Sequence, residues 1–196
     1  MTAAQKLKLV SIDDFLQGEL VSEVKHEYLD GVVYAMAGAR NVHNAIASNW
    51  LVAMGSQLRH GPCQALNSDT KVRVRLKAQT RFYYPDGMIV CQPNSPDDSF
   101  QDNPVIIVEV LSDGTRRIDE GEKKDAYLTI PTLTAYLLVE TDRPRIVVYR
   151  RGNSADGAFA AEAYEGIDAI VPFDDIRCTL NLADLYTRVH FDATER

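Results

Sequence analysis

Glu109 stands inside the run Pro104-Val105-Ile106-Ile107-Val108-Glu109-Val110-Leu111, which is otherwise apolar. The run has the length and β-branched content of a buried central strand. An ionised carboxylate in such a strand costs several kcal/mol unless it is paired, hydrogen-bonded or bound to a metal. A second acid, Asp86, follows Tyr83-Tyr84-Pro85 and precedes the apolar stretch Met88-Ile89-Val90-Cys91. A third, Glu27, lies in His26-Glu27-Tyr28-Leu29. All three are hard oxygen donors suited to Mg2+ or Mn2+. An ion held this way activates a water and stabilises charge on a phosphoryl oxygen. Lys123, in the charged segment Asp119-Glu120-Gly121-Glu122-Lys123-Lys124-Asp125, would orient that water or balance the phosphate. Each residue also has a plainer use. Glu27 reads equally as an exposed strand residue, Asp86 as a strand end, Glu109 as half of a salt bridge, and Lys123 as part of a solvated helix face.

The elements that must position these residues are legible in outline. Ser11 with Asp14 three residues on marks the start of a short helix. Asp30-Gly31 between apolar flanks marks a hairpin turn that places Glu27 in its first strand. From Asn41 to Leu58 the residues Ile46, Trp50, Met54 and Leu58 recur every four positions and predict a long amphipathic helix. Lys71-Val72-Arg73-Val74-Arg75-Leu76-Lys77 alternates strictly, which predicts a strand with Lys71, Arg73, Arg75 and Lys77 on a basic outer face. Strands follow at about 87–91 and 105–111, separated by a Pro- and Asp-rich surface loop over 92–103. A helix is expected over 119–129 with Asp119 as its N-cap, then strands at 133–140, 145–150 and about 158–164. A loop is expected at 152–157 and a short helix at 181–187. The sum is an α/β (α+β) domain with a mixed β-sheet flanked by helices.

With 196 residues the chain fits a single domain, its core spanning about 11–187. No apolar stretch approaches the ~20 residues of a membrane span. The N-terminus, Met1 to Lys8, has no apolar signal-peptide core, so a cytoplasmic protein is expected. A net charge of -7 argues against a generic nucleic-acid binder and restricts any such contact to a local patch or to bound metal. Cys63, Cys91 and Cys178 are far apart and odd in number, which predicts buried thiols rather than a disulfide framework or zinc site.

One ordered set of residues resembles a known family. Glu27-Tyr28-Leu29-Asp30-Gly31, His43, Tyr84-Pro85-Asp86, Val108-Glu109-Val110-Leu111-Ser112, Thr115-Arg116-Arg117-Ile118-Asp119, Glu122-Lys123 and Tyr127 together resemble the Uma-two family of the PD-(D/E)xK nuclease superfamily. The resemblance runs from Ser11 to about Tyr186. It implies a restriction-endonuclease-like sheet, with Asp86 and Glu109 as metal carboxylates, the Val110 carbonyl as a further ligand and Glu27 as an additional acid. The superfamily lysine normally stands two residues after the second acid. That position is Leu111 here, and the resemblance points instead to Lys123, with Lys124 as its neighbour. His43 would touch a phosphate or the acids, Ser112 and Arg116 lie in the loop after the Glu109 strand, and Arg73 and Arg75 would follow a phosphate backbone. The expected activity is Mg2+- or Mn2+-dependent hydrolysis of DNA, by a homodimer if both strands are cut. The competing expectation is an inactive nuclease fold that only binds or regulates, motivated by Leu111 and the acidic net charge.

Overall fold

The computed structural model describes residues 9–152 and 157–191. Residues 1–8, which bear on the expected lack of a signal peptide, lie outside that range, as do residues 153–156 of the expected 152–157 loop.

Helix α1 (Ile12–Glu19) begins where Ser11 accepts the Asp14 N–H at 3.1 Å and donates to its carboxylate at 2.8 Å. Strands β1 (His26–Leu29) and β2 (Val32–Ala35) form the hairpin at Asp30-Gly31. Both turn residues have positive φ, 54° and 99°, which is the conformation that Asp-Gly favours. Helix α2 (Asn41–Leu58) buries Ile46, Trp50, Met54 and Leu58, as the four-residue spacing requires. It leads to β3 (Gln64–Asn67), β4 (Lys71–Arg75), β5 (Thr80–Tyr83) and β6 (Gly87–Val90). A two-residue strand, β7 (Phe100–Gln101), lies within the segment expected to be loop, because it pairs in parallel with β4. Strand β8 (Pro104–Val110) is the apolar run that carries Glu109.

Strand β9 (Ala135–Val139) runs parallel to β8, so the chain must cross over between them. The crossover holds α3 (Arg116–Ile118), a π-helical turn (Asp119–Lys123) and α4 (Lys124–Tyr127). Helical structure therefore starts before Asp119, which is not a cap but the first residue of the π-turn. Strands β10 (Arg145–Arg151), β11 (Phe159–Glu165), β12 (Ile170–Phe173) and β13 (Cys178–Asn181) and helix α5 (Leu182–Leu185) complete the chain.

The strands divide among three sheets rather than one. Their orders are β2-β1-β5-β4-β7, β11-β10-β9-β8-β6-β3 and β12-β13. On one face of the six-stranded sheet, Ile106, Val108 and Val110 pack against Ile46, Trp50 and Met54 of α2. On the other, Ile107, Leu111 and Leu138 pack against Ala126 and Tyr127 of the crossover, together with Val72, Val74 and Tyr83 of the five-stranded sheet. Helix α1 covers the far side of that second sheet through Phe15, which packs with Tyr28, Phe82 and Phe100. Among the described residues, no helix is long and apolar enough to cross a membrane.

The cysteine expectation is corrected. Cys63 and Cys91 stand at the ends of paired strands β3 and β6 and are joined in a disulfide, while Cys178 is a free buried thiol. Antiparallel pairing brings together cysteines that are 28 residues apart in sequence. The basic face of β4 is corrected too. Lys71 is only 4% exposed, because Glu19 of α1 and Tyr84 close over it: Lys71 donates to the Tyr84 hydroxyl at 3.1 Å, which donates to Glu19 at 2.8 Å.

Candidate active site

Glu109 projects from β8 towards the crossover, so the parallel β8–β9 connection that the fold requires also brings it a cation. Its Oε1 accepts the Lys123 ammonium at 3.3 Å and the Tyr127 hydroxyl at 3.0 Å. Its Oε2 accepts the Asp86 backbone N–H at 3.3 Å. Asp86 stands just before β6 and returns the contact, its Oδ2 accepting the Val110 N–H at 2.7 Å. The same oxygen is 3.1 Å from His43 Nε2, which arrives from the first turn of α2 on the opposite face of the sheet.

Lys123 Nζ is also 2.9 Å from Glu27 Oε1 on β1 and 3.7 Å from Asp119 Oδ1. Asp119 and Lys123 are four residues apart in a helical segment, which puts them on the same face, and the segment is a π-turn, a feature that recurs at functional positions. Asp119, a cap by sequence, is thus a member of the cluster that sequence reasoning misses. It is 2% exposed, and among the described residues its Oδ1 accepts no hydrogen bond. Its only sequence signal is a place in the charged segment, where a buried acid looks like a solvated one. Lys124, one residue on, points elsewhere, over the Tyr149 ring.

Burial and charge act against each other here. Burial alone would lower the Lys123 pKa, but the charges of Glu109, Glu27 and Asp119 outweigh it and hold the ammonium well above its usual range. Burial pushes the Glu109 carboxyl well up, opposed by Lys123 and reinforced by Asp119, Asp86 and Glu27. Asp119 is raised by the same desolvation, with Lys123 opposing. Burial would lower the His43 pKa, yet its hydrogen bond to Asp86 leaves it net raised.

Four carboxylates, Glu27, Asp86, Glu109 and Asp119, thus act on one another around a single lysine. That excess of negative charge fits a site for a hard divalent cation. Among the described residues no three His, Cys, Asp or Glu side chains stand so that they could hold a metal ion together. Magnesium does not need three, because it is commonly held by one or two carboxylates with waters or phosphates completing the shell.

The remaining sequence candidates are engaged elsewhere. Arg73 makes a bidentate pair with Asp102 at 2.8 and 2.7 Å and stacks on Phe100, and Arg75 reaches the same Asp102 at 3.1 Å. Arg116 grips Glu140 at 3.1 and 2.5 Å. Ser112 hydrogen-bonds Thr115 at 2.9 Å and structures its own loop. Leu111 is buried in the apolar cluster beside Ala126 and Tyr127, which leaves no room for an ammonium at that position.

The fold recurs in a solved structure. The crystal structure of a putative nuclease belonging to DUF820 from Anabaena variabilis superposes with a TM-score of 0.70 at 18% identity, covering 92% of this chain and 99% of that one. The uncharacterized protein slr1290 of Synechocystis sp. is 34% identical over 149 residues, 75% of this chain and 77% of its own. A second Synechocystis protein, the uncharacterized sll1609, is 27% identical over 154 residues, 77% of this chain and 86% of its own. Residues 12–182 match Uma2, described as "Putative restriction endonuclease", and the chain belongs to that family.

Proposed function

We propose that the protein is a divalent-metal-dependent nuclease that hydrolyses phosphodiester bonds of DNA. The observation that carries this reading is the Lys123 ammonium held 2.9–3.7 Å from Glu27, Glu109 and Asp119, with Asp86 hydrogen-bonded into the Glu109 strand beside it. Family membership supports the same reaction class. Asp86, Glu109 and the Val110 carbonyl are the groups that would hold Mg2+ or Mn2+. When bound, such an ion polarises the phosphoryl oxygen and makes a coordinated water more acidic.

The chain's own residues do the rest. Lys123 orients the attacking water and offsets negative charge that develops at phosphorus. Glu27 and Asp119 hold Lys123 in place, and Tyr127 fixes the rotamer of Glu109. A single-domain enzyme that cuts both strands of a duplex would act as a homodimer.

Nicking of supercoiled plasmid tests the reading. Cleavage should require Mg2+ or Mn2+, stop with a chelator, and be lost in Asp86→Asn, Glu109→Gln and Lys123→Met proteins that still fold. Cleavage that survives both acid substitutions would sink it.

A further inference from the structure

The solvent side of the site is bounded by one short stretch of chain. Glu27, Asp86 and His43 keep 13–16% of their side-chain surface exposed, whereas Glu109, Lys123 and Asp119 keep 8% or less. The cluster therefore opens past the first three. Tyr34 on β2 lies directly opposite Glu27 on β1, so the two side chains share a face with their Cβ atoms about 5 Å apart. Tyr28, next to Glu27, points the other way and packs on Phe15. Further along, the same chain sets His43 against Asp86. Residues 34–43 thus run from one side of the opening to the other.

This rim suits a nucleic-acid strand in two respects. Strand β2 is the edge of its sheet, and Tyr34 is 53% exposed there. Arg40, exposed at the start of α2, makes no side-chain hydrogen bond to the helix and no ion pair among the described residues. Arg73, Arg75 and Arg116, by contrast, already hold carboxylates. Residues 31–68 contain no Asp or Glu, although the chain has 28, so the rim does not repel a polyanion despite the net charge of -7.

We propose that this rim binds unpaired nucleotides, with Tyr34 stacking on the base beside the scissile phosphate and Arg40 contacting a neighbouring phosphate, so that the substrate is single-stranded DNA or a single-stranded stretch within a duplex. The inference rests on the nuclease reading of the site. A single free arginine does not supply the several phosphate contacts that hold a duplex. Stacking needs only an accessible ring and an accessible base face, and a base inside a duplex offers no free face.

Fluorescence anisotropy of labelled oligonucleotides, with Ca2+ as the only divalent ion, tests this on the full-length protein. A single strand should bind at least about tenfold more tightly than a blunt duplex of the same sequence. Tyr34→Ala should weaken single-strand binding about 5- to 150-fold, while Tyr34→Phe, which keeps the ring, should not. Arg40→Gln should lower the slope of log affinity against log salt by about 0.7. If Tyr34→Ala does not fold, a strand with abasic sites on the wild type gives the same measure, and should bind more weakly than the intact strand. Equal affinity for strand and duplex, no effect of Tyr34→Ala or of the abasic sites, or binding of neither oligonucleotide overturns the inference. Cleavage with Mg2+ or Mn2+ is scored separately: if it persists in those cases the nuclease reading stands, and if it is absent while the strand preference holds, the nuclease reading fails and the rim remains a single-strand binding surface.

Discussion

Trp50 fills the space that a side chain at Gly87 would need: a Cβ built on Gly87 would come within 2.3 Å of the indole ring. Trp50 is fully buried on α2, and Gly87 follows Asp86 directly. The closeness of helix and strand at this point therefore fixes where Asp86 sits. Gly87→Ala should destabilise the fold by about 1–3 kcal/mol through overpacking. It should also weaken Mn2+ binding, because Asp86 must move with β6. Urea unfolding and a metal titration of the same variant check both. Unchanged metal affinity in a destabilised protein would separate the packing from the site.

Lys123→Met removes the cation that the buried acids share. Breaking a buried ion pair costs about 3–5 kcal/mol, because the remaining charges stay desolvated. Adding Glu109→Gln should recover part of that loss, so a double-mutant cycle by urea unfolding should show strong coupling. Additive effects would mean that the two side chains do not share one electrostatic environment.

Metal should stabilise the folded state in proportion to occupancy. At a hundredfold excess over Kd the gain is about 2.7 kcal/mol, visible as a rise in Tm that a chelator reverses. Asp86→Asn should show no such rise at the same Mn2+ concentration. An equal shift in this variant would place the ion elsewhere.

Acid stability should follow Glu140. The Arg116 hydrogen bond, with Arg143 and Arg145 nearby, holds its folded-state pKa below the usual 4.5 despite burial. A depressed carboxylate pKa contributes stability that is fully present above the unfolded value and disappears as pH falls through the folded one. The wild type should thus lose stability below about pH 4.5, and Glu140→Gln should be less stable at neutral pH but have a flatter acid limb. Unfolding curves from pH 7 to pH 3 measure this, and parallel acid limbs would reject it.

Reducing the Cys63–Cys91 bond should cost about 2–4 kcal/mol, the range for a loop of this size. Melting curves with and without reductant give the value, and thiol labelling of the unfolded chain should rise from one cysteine to three.

The features legible in the chain are those encoded locally. Asp30-Gly31 specifies its turn by backbone preference, and the Ile46-Trp50-Met54-Leu58 spacing specifies the buried face of α2. Glu109 is legible because a charge in an apolar strand is expensive wherever the strand lies. Lys71 is not, because alternation reports which side a residue faces, not what covers that side, and α1 covers this one. The disulfide depends on strand pairing over long range, and the cysteines' spacing carries no trace of it. Asp119 is hidden by the company of Glu120, Glu122 and Lys124, and only its helical position, four residues before Lys123 on the buried face, separates it from those more exposed neighbours.

The π-turn also has a consequence for how such centres can change over time. Lys123 is 14 residues from Glu109 in the chain yet 3.3 Å from it in space. The strand position beside Glu109 is free to carry Leu111 for packing, while the ammonium is delivered from a separate, replaceable segment. In this chain the positive charge beside Glu109 is set by a position in space rather than by a place in the strand. A search keyed to an acid and a lysine two residues apart would pass over this chain, whereas one keyed to the position of the cation relative to the acids would find it.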